Sequence, residues 1–187
     1  MEQERKNMNI MEMEKGKKEK GSKKGMELTL RVLALVLTMA AAIILGVSKQ
    51  TKIVSIKLIP TLPPLDVSTT AKSSYLSAFV YNMSTNAIAC GYTAISIVIL
   101  LMSKGRRNLL MLLLLGDLLM VALQFSSTGA AGAIGLMGLQ GNKHVMWKKV
   151  CGVFGKFCHQ NAVGVAFSLV GSIVFVILVV LDAIKLP

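Results

Sequence analysis

LLMLLLLGDLLMVALQF, residues 109–125, decides the fold of this chain: it is nearly pure hydrocarbon with one carboxylate, Asp117, in its middle. In water such a run would be a buried core helix. Three comparable runs, at residues 28–47, 75–102 and 161–181, make a bilayer the better solvent. An acid inside a membrane span costs roughly 2.5–3.5 kcal/mol on insertion scales, so a chain keeps one only against a partner. The only basic residue inside another apolar run is Arg31, near the start of the first. The sequence therefore predicts an all-α membrane protein, a four-transmembrane-helix bundle in which Arg31 and Asp117 form an intramembrane charge pair.

Composition agrees. The 187 residues are 53% hydrophobic, too apolar for a soluble domain of this length. The net charge of +12 is not a nucleic-acid signature, because the basic residues flank or link the apolar runs, with one Trp, three Tyr and no basic–aromatic interleaving. Charge at membrane surfaces explains the distribution better, and no nucleic-acid partner is expected. Residues 1–27 carry eight Lys/Arg against six Glu without apolar periodicity and read as a disordered cytoplasmic tail. They hold no apolar core, so no cleavable signal peptide is expected, and the first helix serves as its own insertion signal.

The membrane domain is expected over residues 28–184, with spans at 28–47, 75–102, 109–128 and 161–181. Outer loops fall at 48–74 and 129–160, and an inner link at 103–108. In the first loop Val54, Ile56 and Leu58 alternate with polar residues, hinting at a short strand before Pro60, Pro63 and Pro64. Ala42 and Gly46 are four apart on the first helix and permit close approach of a neighbour. After the third span Gly129, Gly132, Gly135 and Gly138 recur every third residue. They form either a helix-packing stripe or a flexible exit from the membrane. The sequon Asn82-Met83-Ser84 lies too near the bilayer to be used.

Orientation follows from the lysines and arginines. With the N-terminus inside, ten basic residues lie on cytoplasmic flanks and eight on outer loops, and the inner ones are denser, three of them within residues 103–108. Both termini are expected in the cytoplasm. Helices one and three then run in the same direction. Asp117 sits roughly 12 Å deep, and Arg31 starts about 5 Å deep with a side chain long enough to cover much of the difference. The competing reading has Arg31 snorkelling to the headgroups. Asp182 is a rival partner for Arg31 but is placed at the interface, where water reaches it.

Cys151 and Cys158 share the second outer loop, an oxidising setting in which a disulfide is the default. On a regular helix two residues seven apart lie about 10 Å apart, beyond bridging distance, so a bridge within one chain needs a turn, which Gly152 and Gly155 can supply. A bridge between chains stays open. His144 and His159 do not have the spacing of a zinc framework. The chain shows no Cys-x-x-Cys, no nucleophile with a base, no phosphate-binding glycine loop and no paired carboxylates, so neither an enzyme nor a cofactor or metal site is expected.

Several of these stretches together resemble the plant CASP-like family, relatives of the Casparian strip membrane domain proteins and, more distantly, of MARVEL-type four-span proteins. The carriers are Leu30-Arg31-Val32-Leu33-Ala34, the lone Asp117, and Gly129-Ala130-Ala131-Gly132-Ala133-Ile134-Gly135. Trp147, Cys151 and Phe154-Gly155-Lys156-Phe157-Cys158 complete the pattern, which covers nearly the whole chain after Met26 and points to the first group of CASP-like proteins. The resemblance implies a multi-pass plasma-membrane protein with cytosolic termini that self-associates, with itself or with related members, into dimers or larger assemblies. It also implies that Arg31 and Asp117 match the family's intramembrane Arg and Asp. The Phe-rich Glu-Ser-Leu-Pro motif of the Casparian strip proteins proper is missing from residues 48–74, which argues against a role in the strip itself.

Two functions from different classes follow. One is a membrane scaffold that packs laterally and presents its loops to wall-side enzymes. The other is a small channel or transporter in which Asp117 binds a cation or relays protons. A pathway normally shows polar residues at several depths, whereas helix three offers one acid and then Gln124, so the scaffold is preferred.

Overall fold

The computed structural model describes the backbone of residues 2–56, 65–102, 107–142, 144, 147 and 149–185. Its elements in chain order are helix α1 (Glu2–Val47), strands β1 (Lys49–Ile56) and β2 (Leu65–Lys72), a 3-10 turn at Ser73–Tyr75, and helices α2 (Ser77–Met102), α3 (Arg107–Gln140) and α4 (Gly155–Ile184). Among the described residues four helical stretches are long and apolar enough to cross a membrane: Lys24–Val47, Ser77–Met102, Arg107–Gln140 and Gly155–Ile184.

Three boundaries differ from the sequence expectation. The expected disordered tail is a helical extension of α1 that begins at Glu2. The stretch lacks proline and is rich in Glu, Lys and Met, which are good helix formers, although it also carries Gly16, Gly21 and Gly25. Helix α3 does not stop near Thr128 but runs through all four glycines to Gln140. Glycine weakens a helix in water by about 1 kcal/mol, yet in hydrocarbon an unwound turn would leave several peptide groups without partners, and the helix persists. It ends where Gly141 takes a positive φ of 71° and its N–H caps the Met137 carbonyl at 2.9 Å. Helix α4 starts at Gly155 rather than at 161, so the second loop shrinks to residues 141–154.

The hint of a strand becomes a hairpin in which β1 and β2 pair antiparallel from Lys49↔Lys72 to Ile56↔Leu65. Leu58 and the prolines at 60, 63 and 64 lie outside the described residues, as do residues 103–106 of the link between α2 and α3.

Helix α1 packs against α2 and α4, and α3 packs against the same two, so α1 and α3 stand on one diagonal of the bundle and α2 and α4 on the other. Successive helices alternate in direction: Thr38 and Leu45 of α1 meet Gly171 and Gly164 of α4 in reverse order, and Asn86 and Tyr92 of α2 meet Gln124 and Asp117 of α3 likewise.

The interior is layered. A charged layer lies toward the C-terminal ends of α2 and α4, an apolar layer of Ala34, Ala89, Met120, Val174, Phe175 and Leu178 follows, and then an amide layer around Asn82, Asn86 and Gln124. A second apolar cluster (Leu45, Phe79, Ala131, Phe154, Phe157) closes the hairpin end. The large outward-facing side chains are mostly Val, Leu, Ile and Met, among them Val36, Ile43, Leu112, Leu115 and Val180. Polar groups inside and hydrocarbon outside is the arrangement that lipid selects and water does not.

Candidate functional site

Arg31 is the centre of the charged layer. It has no exposed surface, and neither do Asp117 and Asp182. One guanidinium nitrogen, Nη1, donates to Ser96 Oγ at 3.0 Å and to Asp117 Oδ1 at 3.2 Å. The other, Nη2, donates to Asp117 Oδ2 and Asp182 Oδ2, both at 2.9 Å, and to Glu27 Oε1 at 3.4 Å. The two parallel bonds to Asp117 are the bidentate geometry that a planar guanidinium provides and an ammonium cannot. Tyr92 of α2 donates to Asp117 Oδ1 at 2.8 Å, with the Leu113 carbonyl 3.0 Å from the same hydroxyl. Lys185 closes the layer by bonding Glu27 and lying 3.4 Å from Asp182 Oδ1.

Local sequence places these groups. Glu27 and Arg31 are four apart on one helical face, and Asp182 and Lys185 three apart on another. Gly116, next to Asp117, lets the Tyr92 ring lie against α3, because a Cβ there would fall 2.5 Å from ring carbon Cε2. The sequence reading placed Asp182 at a hydrated interface, and the structure corrects this: Asp182 is enclosed and shares Arg31 with Asp117. Glu27, Tyr92, Ser96 and Lys185 were not foreseen. Glu27 and Lys185 carry an advance signal in their i,i+4 and i,i+3 spacing to Arg31 and Asp182, whereas Tyr92 and Ser96 carry none.

The second polar layer is made of amides and hydroxyls. Asn86 Nδ2 donates to Asn82 Oδ1 at 2.6 Å and to Ser168 Oγ at 2.7 Å, and Gln124 Nε2 donates to Asn86 Oδ1 at 3.2 Å. Thr85 Oγ1 donates to Ser127 Oγ at 2.7 Å. Asn82 is fully enclosed, which removes the sequon as a glycan acceptor. Asn82 Nδ2, Gln124 Oε1 and Thr128 Oγ1 are buried here with no hydrogen-bond partner.

At the hairpin end Asn161 Nδ2 donates to Ser48 Oγ at 3.0 Å, Ser73 Oγ donates to Asn161 Oδ1 at 2.8 Å, and the Phe157 N–H donates to Gln50 Oε1 at 2.9 Å. These bonds fasten the hairpin to α4. Cys151 and Cys158 form a disulfide within the chain, their Cα atoms 5.6 Å apart. The turn that allows it runs through Gly152, with the Val153 and Phe154 N–H groups bonded to the Val150 carbonyl. Cys90 is a free thiol.

The expected packing residues divide. A Cβ on Gly46 would sit 3.4 Å from Met83 Sδ, so Gly46 lies against α2, and Ala42 is half-buried one turn away. At Gly129, Gly132 and Gly135 an added Cβ would meet nothing within 4 Å, so within this chain they are not helix contacts. The close approaches are at Gly116 and at Gly164, where a Cβ would fall 2.8 Å from Leu45.

The family described as the Casparian strip membrane protein domain matches residues 20–174. Over its whole length the chain is 76% identical to "CASP-like protein 1E1" and 75% identical to "CASP-like protein 1E2", both from Arabidopsis thaliana, and each relative is also covered in full. A "CASP-like protein 1E1" from Populus trichocarpa is 56% identical over 160 residues, 86% of this chain and 82% of that protein. No solved structure matches.

Proposed function

Since the chain belongs to the CASP-like family of multi-pass membrane proteins, we propose that it is a structural scaffold of the plasma membrane. It associates laterally with itself and with related members, and it organises membrane subdomains and wall-side enzymes rather than catalysing a reaction. The observation that carries this reading is the closure of the charged layer. Arg31 and Asp117 have no exposed surface, and the Asp117 carboxylate is occupied by a bidentate guanidinium and by Tyr92. An acid held in this way locks helices together and is not available to a passing ion. The outward faces of the spans are apolar, as surfaces in contact with lipid must be.

The disulfide sets the orientation in this proposal. A Cys151–Cys158 bridge belongs in an oxidising compartment, so the hairpin end faces the wall and both termini face the cytoplasm. One observation favours transport instead: polar side chains occupy the bundle at several depths, and Asn82 Nδ2 and Gln124 Oε1 lack partners. Photobleaching of the tagged protein together with cation flux separates the readings. A scaffold gives immobile patches and no flux above background. Flux abolished by Asp117→Asn at unchanged surface abundance would replace it with a transporter.

A further inference from the structure

The hairpin half of the bundle contains a cavity of about 570 Å³ between α3 and α4, floored by the start of α2 and roofed by the disulfide loop. This is within the range of roughly 300–1,000 Å³ typical of small-molecule sites. Its wall on α4 extends from Phe157 to Leu169, about 18 Å at 1.5 Å per residue, so it is a long slot parallel to the helices. Small residues hollow it out. Gly132 and Gly135 line it, and a Cβ added to either would meet no atom within 4 Å. Both glycines face vacant space in a region where hydrocarbon is the solvent.

The slot is not apolar at both ends. Lys72 is the one charged residue among the described residues that line it, and it sits at the loop end with Tyr75 and Trp147. The Lys72 ammonium lies 5.7 Å from the centre of the Tyr75 ring, and both aromatic rings are exposed there. Tyr and Trp beside a lysine are the side chains that collect at the boundary between hydrocarbon and headgroups. An apolar trough inside the bilayer that opens on a cation and two amphipathic rings at headgroup level has the polarity of a lipid.

We propose that this slot binds an anionic phospholipid from the leaflet on the disulfide side. One acyl chain lies along α4 between Phe157 and Leu169, and the phosphate pairs with Lys72. A helix from a second copy would fill the trough equally well with hydrocarbon but would leave the cation at its mouth unused. The site is separate from the charged layer, and it does not depend on whether the chain scaffolds or transports.

The test uses the full chain in nanodiscs of phosphatidylcholine containing a minor share of phosphatidylglycerol that carries a photoreactive diazirine on one acyl chain. After irradiation, adducts should concentrate in peptides covering residues 131–139 and 157–169 and be sparse on the outward face of α1. Gly135→Leu, or Gly132→Leu should the first fail to purify as a monodisperse protein, fills the slot and should abolish those adducts with the Cys151–Cys158 bridge intact. Lys72→Gln should lower labelling by the phosphatidylglycerol probe about five-fold, the factor for one lysine at an anionic membrane surface, and leave a phosphatidylcholine probe unchanged. Adducts spread evenly over all lipid-facing helices would overturn the proposal. So would labelling in the wild-type slot that survives either glycine substitution, or chain-to-chain crosslinks from the slot in place of lipid adducts.

Discussion

Arg31 and Asp117 stand on diagonally opposed helices, α1 and α3, and their bidentate bond crosses the centre of the bundle. Two helices with little backbone contact are thereby joined through one ion pair, and Asp182 and Ser96 draw the other two helices to the same guanidinium. Breaking a buried pair leaves the other charge uncompensated, at a cost of about 3–5 kcal/mol, comparable with the stability of many domains. Arg31→Leu and Asp117→Asn should each sharply reduce folded protein at the cell surface. The exchange Arg31→Asp with Asp117→Arg should not rescue them, because an acid at position 31 would face Glu27 and Asp182. Surface abundance of the three variants decides. Recovery in the exchanged protein would show that the pair is isolated from the other two acids.

Glycine positions should separate sharply. Gly116→Ala drives a methyl group into the Tyr92 ring and displaces the hydroxyl that holds Asp117, which should cost about 1–3 kcal/mol, the usual range for overpacking. Gly129→Ala enters open space on a helix and should be neutral or stabilising by up to about 1 kcal/mol. Unfolding of the detergent-solubilised variants measures both, and equal effects would refute the assignment of Gly116 as the contact glycine.

The loop bridge closes a short segment, for which chain entropy gives roughly 2–3 kcal/mol. Non-reducing peptide mapping should find Cys151 linked to Cys158 within one chain and Cys90 free. Cys151→Ser should lower stability by about that amount while leaving the charged layer intact. Free thiols at both loop positions in protein from the plasma membrane would count against the bridge.

Topology is checked by single cysteines and a membrane-impermeant thiol reagent on intact cells. Thr69 is exposed on β2, and a cysteine there should react, whereas cysteines at 103–108 or after Leu181 should be protected. Labelling of the 103–108 link from outside would invert the proposed orientation.

Four spans and an internal Arg–Asp pair were legible in the one-dimensional record, because a bilayer imposes its thickness on hydrophobic run length and makes any charge within a run stand out. The apolar runs said little about helix phase. A membrane helix is hydrophobic on most of its circumference, so Leu115 and Leu113 look alike in sequence although one faces lipid and the other the interior. For that reason the enclosure of Asp182, the partners Glu27, Tyr92 and Ser96, the amide layer around Asn86, and the difference between Gly116 and Gly129 emerged only with the packed bundle. Where α3 ends was likewise a tertiary matter: propensity places a break at its glycines, but satisfying every peptide group within the bundle carries the helix to Gln140. What the sequence determined about this protein is how many times it crosses and which charges must be answered. Which side chains answer them depends on four helices being brought to one axis, a condition that no single run contains.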